Sequence, residues 1–147
     1  MNTTIDKSKE LNASIVLIND KLHFNGQVEN NAPVSIDYIS PLGDDAGYTS
    51  LELLLLSLSS CVGSAILTFL RKMRKNITGL EILSRGIRRN EHPTGFGTIY
   101  LEIKLKSSDT TEDDLKKVLK LSEDTYCPVW AMIKGNVEVV INQQIIS

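Results

Sequence analysis

Hydrophobic residues in this chain follow three patterns. Between Thr49 and Asn76 they fall almost all the way round a helical wheel, from Leu51 through Leu58 and Val62 to Leu70 and Met73. Thr49 and Glu52 form a capping-box signature at its start, and Arg71, Lys72, Arg74 and Lys75 suit the negative end of the helix dipole. A helix apolar on every side has to be enclosed. On both flanks the period drops to two. Ser14 to Asn19, then Lys21 to Val28, then Val34, Ile36 and Tyr38 predict three short strands over residues 14–38, with turns at Asn19-Asp20 and Asn30-Asn31. Leu80 to Arg89 predicts another strand, with a phase shift near Gly86 that suggests a bulge and a break before it at Thr78-Gly79. Thr98 to Lys106 alternates cleanly, with Ile99, Leu101, Ile103 and Leu105 on one face.

The third pattern is an amphipathic one. Thr110-Thr111 followed by Glu112, Asp113 and Asp114 predicts a helix start, and Leu115, Val118, Leu119 and Ser122 give that helix one apolar face. Pro128 suits the first position of a further short helix, which places Cys127 at its N-cap and ends the helix at Gly135. Val137 to Ile146 closes the chain as a strand. Strands in succession point to an α+β fold with antiparallel sheets enclosing a long central helix over 49–76. One small sheet cannot cover such a helix, so a homodimer is expected. The chain reads as a single domain over 1–147, with residues 1–12 loose and a C-terminal α+β part over 80–147.

Composition narrows the picture little: 147 residues, 41% hydrophobic, 23% charged and a net charge of −2. That balance makes no electrostatic case for nucleic acid or an anionic membrane surface. Leu53 to Leu70 carries no charge and reaches the lower limit for a membrane span. Ser57, Ser59, Ser60, Ser64 and Thr68 load it with polar groups, which favours a core helix and no membrane. The first residues lack the apolar run of a secretory signal, so a cytoplasmic, reducing setting is expected. No Walker-type, dinucleotide-binding or nucleophile-elbow motif occurs, and no cofactor is expected. His23, His92 and the two cysteines are too scattered to read as a metal site, so no metal is expected either.

Cys61 and Cys127 remain. A cysteine inside an apolar helix is ordinarily a small hydrophobe, whereas one at a helix N-terminus is placed where a thiolate is favoured. Two stretches carry a resemblance: Thr49-Ser50-Leu51-Glu52 running through to Ser59-Ser60-Cys61, and Leu121 to Ile133, LSEDTYCPVWAMI. With Glu91-His92-Pro93 ahead of the strand from Thr98, the chain from about Pro41 onward resembles the OsmC/Ohr family, the osmotically inducible and organic-hydroperoxide-resistance proteins. The resemblance implies an intertwined homodimer and a thiol peroxidase. Cys61 would be the peroxidatic thiolate and Cys127 the resolving thiol, with a small-molecule hydroperoxide as substrate and a dithiol as reductant. It also makes Glu52 a candidate catalytic carboxylate. Family peroxidases add an arginine from the N-terminal strands; here no arginine precedes Arg71, and Lys21 is the strand-associated cation. A lysine does not reproduce a bidentate guanidinium. The alternative is a non-enzymatic dimeric small-molecule-binding protein that keeps the OsmC fold around an apolar cavity.

Overall fold

The computed structural model describes residues 6–147. The expected loose N-terminus over 1–12 lies outside the described residues for its first five positions; the remainder is an exposed turn and extended chain leading to the first strand. Elements follow in the order β1 (Ser14–Leu17), β2 (Phe24–Gln27), β3 (Val34–Ile36), α1 (Ser50–Lys72), β4 (Ile77–Arg88), β5 (Phe96–Ser107), α2 (Glu112–Leu121), a π-helical turn (Ser122–Tyr126), α3 (Pro128–Ile133) and β6 (Glu138–Ile146). By their contacts they form two compact units, Met1–Leu53 and Leu54–Ser147.

The first unit is an antiparallel meander in the order β1-β2-β3. Its strands are shorter than the alternation suggests, because the turn between β1 and β2 takes up more chain. Asn19 holds that turn: its Oδ1 accepts from the backbone N–H groups of Lys21 and His23, both at 3.0 Å. The loop after β3 is organised by Asp37, which is 3% exposed. Its carboxylate accepts from the N–H groups of Tyr38 at 2.7 Å, Ala46 at 3.1 Å and Asp44 at 3.2 Å. Burial pushes the Asp37 carboxyl up, but the three donors outweigh it and leave the group below its ordinary value. Gly43 is required here, since a side chain would collide with the Tyr38 carbonyl and the Asp37 carboxylate.

Thr49 and Glu52 form the expected cap at the start of α1. The Thr49 N–H donates to Glu52 Oε1 at 2.9 Å, and the Glu52 N–H donates to Thr49 Oγ1 at 3.2 Å. The helix ends at Lys72, short of the expected Asn76, because Arg74 adopts a left-handed conformation with φ of 60°.

The second unit is built on a sheet in the order β4-β5-β6. Ile99, Leu101, Ile103 and Leu105 line one face of β5 and are all 0% exposed. Burying each contributes roughly 1.5–3 kcal/mol. The α1 stripe Leu58, Val62, Ile66 and Leu70, repeating every four residues, is equally inaccessible. Gly63 on the same helix brings α1 close to β4: a Cβ there would lie 3.4 Å from both Leu80 and Ile82. By length and composition α1 could cross a membrane, yet this face packs on a sheet as a core helix does.

The α+β class with antiparallel strands and a central helix is what the structure shows. One pairing adds to it: β6 runs parallel to β5, while β4 and β5 are antiparallel. Parallel neighbours need a crossover, and α2, the π-helical turn and α3 supply it. The break expected at Thr78-Gly79 lies inside β4 as a register irregularity between Ile77 and Gly79. The bulge expected near Gly86 sits one step on, between Ile87 and Arg88. Gly86 itself makes room for the Phe96 ring, which any Cβ would strike.

Candidate active site

Cys61 lies in the middle of α1 and is half-buried; Cys127 is 2% exposed. Both are free thiols, and their sulfurs lie 2.7 Å apart. That is well within the contact distance of two sulfurs and under 1 Å longer than a disulfide bond of about 2.05 Å. Sixty-six positions separate them in the chain, so the crossover after β5 is what brings the second sulfur back to α1.

The local sequence explains how Cys127 is aimed. Thr111 and Asp114 form a reciprocal cap that starts α2, and Leu115, Val118 and Leu119 are buried on its inner side. At Ser122 the helix widens into a single π turn, closed by the Cys127 N–H donating to the Ser122 carbonyl at 2.9 Å. Such turns recur at functional sites because they re-aim the residues that follow. Ser122 is fully buried, and its hydroxyl donates to the Val118 carbonyl at 2.9 Å. Pro128 then starts α3, leaving Cys127 as N-cap with its sulfur accepting from the Trp130 N–H at 3.5 Å.

Burial pushes the Cys127 thiol up to about 11 from 9.0, and its hydrogen bond to Cys61 pushes the same way; the N–H groups of Trp130 and Val129 pull against it. Cys127 therefore keeps its proton at neutral pH and donates it to the Cys61 sulfur. The helix N-terminus favours the thiolate, as the sequence suggests, but burial beats it.

Glu52 is engaged by its cap, and the Thr49 N–H and hydroxyl hold its carboxyl below the ordinary value. Lys21 pairs with Asp44 at 2.7 Å. His23 Nε2 lies 2.7 Å from the Ser35 hydroxyl. Among the described residues no three of His, Cys, Asp and Glu gather at a point that could hold a metal ion. Two surface concavities, about 220 and 280 Å³, are bounded by residues such as Trp130 and Lys120 in one and Arg85 and Tyr100 in the other. Neither cysteine lines them.

Sequence reasoning missed the π turn and the groups around it. Phe69 of α1 stacks obliquely on Tyr126, with ring centroids 4.7 Å apart, and Lys134 bridges Glu123 at 3.2 Å and Asp124 at 3.4 Å. No composition signal separates a π turn from the last turn of an α-helix, so Ser122 to Tyr126 reads as helix end.

A family model described as OsmC-like protein matches residues 43–142, most of the chain and both cysteines. The chain belongs to the OsmC-like family. It is 24% identical over 103 residues to protein YhfA of Escherichia coli K12, covering 70% of this chain and 77% of that protein. Among solved structures, an OsmC-like protein from Mycoplasma pneumoniae superposes with a TM-score of 0.81 at 17% identity, covering 94% of this chain and 98% of the other. The organic hydroperoxide resistance protein OhrB of Bacillus subtilis superposes with a TM-score of 0.64 at 14% identity, covering 92% and 98%. The OsmC/Ohr family includes peroxide-resistance proteins; at these identities the structural likenesses establish a shared fold.

Proposed function

We propose that this OsmC-like chain is a two-cysteine thiol peroxidase for organic or hydrogen peroxides. The observation that carries the reading is the 2.7 Å approach of Cys61 and Cys127, one half-exposed and the other buried behind it. The Cys61 thiolate attacks the outer peroxide oxygen; the O–O bond breaks, leaving a Cys61 sulfenic acid and an alkoxide or hydroxide that takes a proton from solvent to leave as alcohol or water. Cys127 gives up its proton and bonds to the Cys61 sulfur, and the sulfenic oxygen departs as water. An external dithiol then reduces the Cys61–Cys127 disulfide and restores both thiols. Glu52 enters as an ionised carboxylate at the start of the same helix. Lys21 is occupied by Asp44, so it offers no free counterpart of the family's arginine, and the expected peroxidase is slow.

We infer a homodimer in a reducing cytoplasm as the working form. Ile15, Val16, Leu17 and Ile18 are each 51–60% exposed in the single chain, an apolar surface that a second copy would cover; Leu56 of α1, 53% exposed, calls for cover of its own.

Excess cumene hydroperoxide mixed with reduced protein should consume both thiols and lower the mass by two hydrogens through a Cys61–Cys127 disulfide. If both thiols stay free after prolonged exposure, the peroxidase reading fails. Glu52→Gln separates the cap from the chemistry. Gln still accepts from Thr49, so a slower peroxide reaction at unchanged thermal stability would assign Glu52 to the reaction.

A further inference from the structure

The two sulfurs sit on separate elements, and their contact lasts only as long as those elements stay in register. α1 carries Cys61 and, two turns on, Phe69; the π turn carries Tyr126, immediately followed by Cys127. The Phe69 and Tyr126 rings meet with centroids 4.7 Å apart at 54°, the tilted geometry in which aromatic pairs attract. Lys72 Nζ lies 5.6 Å over the Phe69 ring and extends the stack. Tyr126 is 55% exposed, so filling the core does not explain it. The rest of the turn is braced from its own side: Lys134 spans Glu123 and Asp124, and Lys120 meets Asp124 at 3.1 Å. Those ion pairs tie the turn to α2 and α3, whereas the aromatic pair ties it directly to α1.

We propose that Phe69 and Tyr126 are positioning residues that clasp the π turn to α1, hold Cys127 against Cys61 and so set the redox equilibrium of the sulfur pair. This deepens the two-thiol reading given above but does not need a peroxide. The equilibrium is the exchange of the protein dithiol with glutathione disulfide, giving the protein disulfide and two glutathione thiols. Its constant measures how strongly the fold presents one sulfur to the other. A loosened turn lets the reduced sulfurs drift apart and makes the disulfide less favourable.

The experiment equilibrates the full-length protein in glutathione redox buffers and quantifies the disulfide by thiol trapping. Phe69→Leu and Tyr126→Leu should each lower the constant about three- to tenfold, as expected for one aromatic pair. Tyr126→Phe, which keeps the ring, should restore it. The double variant should fall no further than the larger single change, because one contact is lost either way. Leu105→Val, a change in the buried face of β5, should lower thermal stability and leave the constant alone. Unchanged constants in the leucine variants, additive effects in the double variant, or an equal shift with Leu105→Val would each overturn the clasp. Inertness of both thiols toward hydroperoxide would defeat the peroxidase reading alone, since the glutathione equilibrium would still report on the clasp.

Discussion

Each of the chain's two units is stabilised internally by a different force. Every buried hydrophobic side chain among the described residues belongs to the second unit, from Leu58 to Val137. In the first unit, Met1–Leu53, the buried positions are Asp37 and Gly43. The second is thus folded by removing aliphatic surface from water. The first is folded by strand pairing and by one carboxylate that gathers three backbone donors, with Ile15, Val16, Leu17 and Ile18 exposed. A meander of three short strands is marginal in water without something to lie against. Its exposed apolar surface is a demand for cover, and both thiols lie in the other unit.

The sharpest test of this contrast is a truncation in each unit. Leu101→Ala should cost about 2–5 kcal/mol of unfolding free energy by urea denaturation, at any protein concentration. Val16→Ala should cost under about 0.5 kcal/mol at concentrations where the chain is monomeric, the usual range for an exposed site. The Val16→Ala cost should grow as concentration rises if copies associate through β1. Equal costs under dilute conditions would break the contrast.

Next in size come the two reciprocal caps, one starting α1 and the other α2. Thr49→Ala and Thr111→Ala should each lower stability by about 1 kcal/mol. A Thr49→Ala cost much below that of Thr111→Ala would mean that the start of α1 frays independently of the core.

Asp37 in the first unit should respond to acid and Cys127 in the second to alkali. The Asp37 carboxyl is depressed in the fold, so its contribution is present above the unfolded value of roughly 3.9 and is lost as pH falls through the lower folded value. Hydrogen-exchange protection of the Asp44 and Ala46 amides, relative to the intrinsic rate at each pH, should fall on acidification, and Asp37→Asn should remove that pH dependence. Cys127 runs the other way. Its raised thiol contributes stability that is complete below the ordinary value of 9.0 and is lost as pH rises toward about 11. The difference in 240 nm absorbance between the native chain and Cys127→Ser, in which the tyrosinate signal cancels, should show a step near pH 11. A shared midpoint for both effects would erase the distinction.

Elements with a strong period were legible in the sequence, and so was the spacing of the chemistry. The all-round apolar run over α1, the alternation of Ile99 to Leu105 and the acidic start of α2 each gave a strand or helix within a few residues of the observed one. The N-cap position of Cys127 followed from Pro128 alone. What escaped has physical reasons. β6 looks the same in sequence whether it pairs parallel or antiparallel, since a period of two carries no direction. Gly86 suggested a bulge because a missing side chain breaks alternation, yet its role is to admit Phe96 from the neighbouring strand. The effect of burial on the Cys127 thiol depends on the crossover that buries it, which no local spacing reveals. The Phe69–Tyr126 contact joins positions 69 and 126 only because the chain returns to α1.

The unequal burial of the two sulfurs gives the proposed cycle a single doorway. Cys61 alone meets solvent, so whatever oxidises the pair and whatever later reduces it must take turns at one atom. Each must clear the entrance before the other arrives. Turnover should then follow a ping-pong pattern, with surplus electron donor slowing the arrival of its own counterpart. A bulky maleimide should tag the native chain once rather than twice.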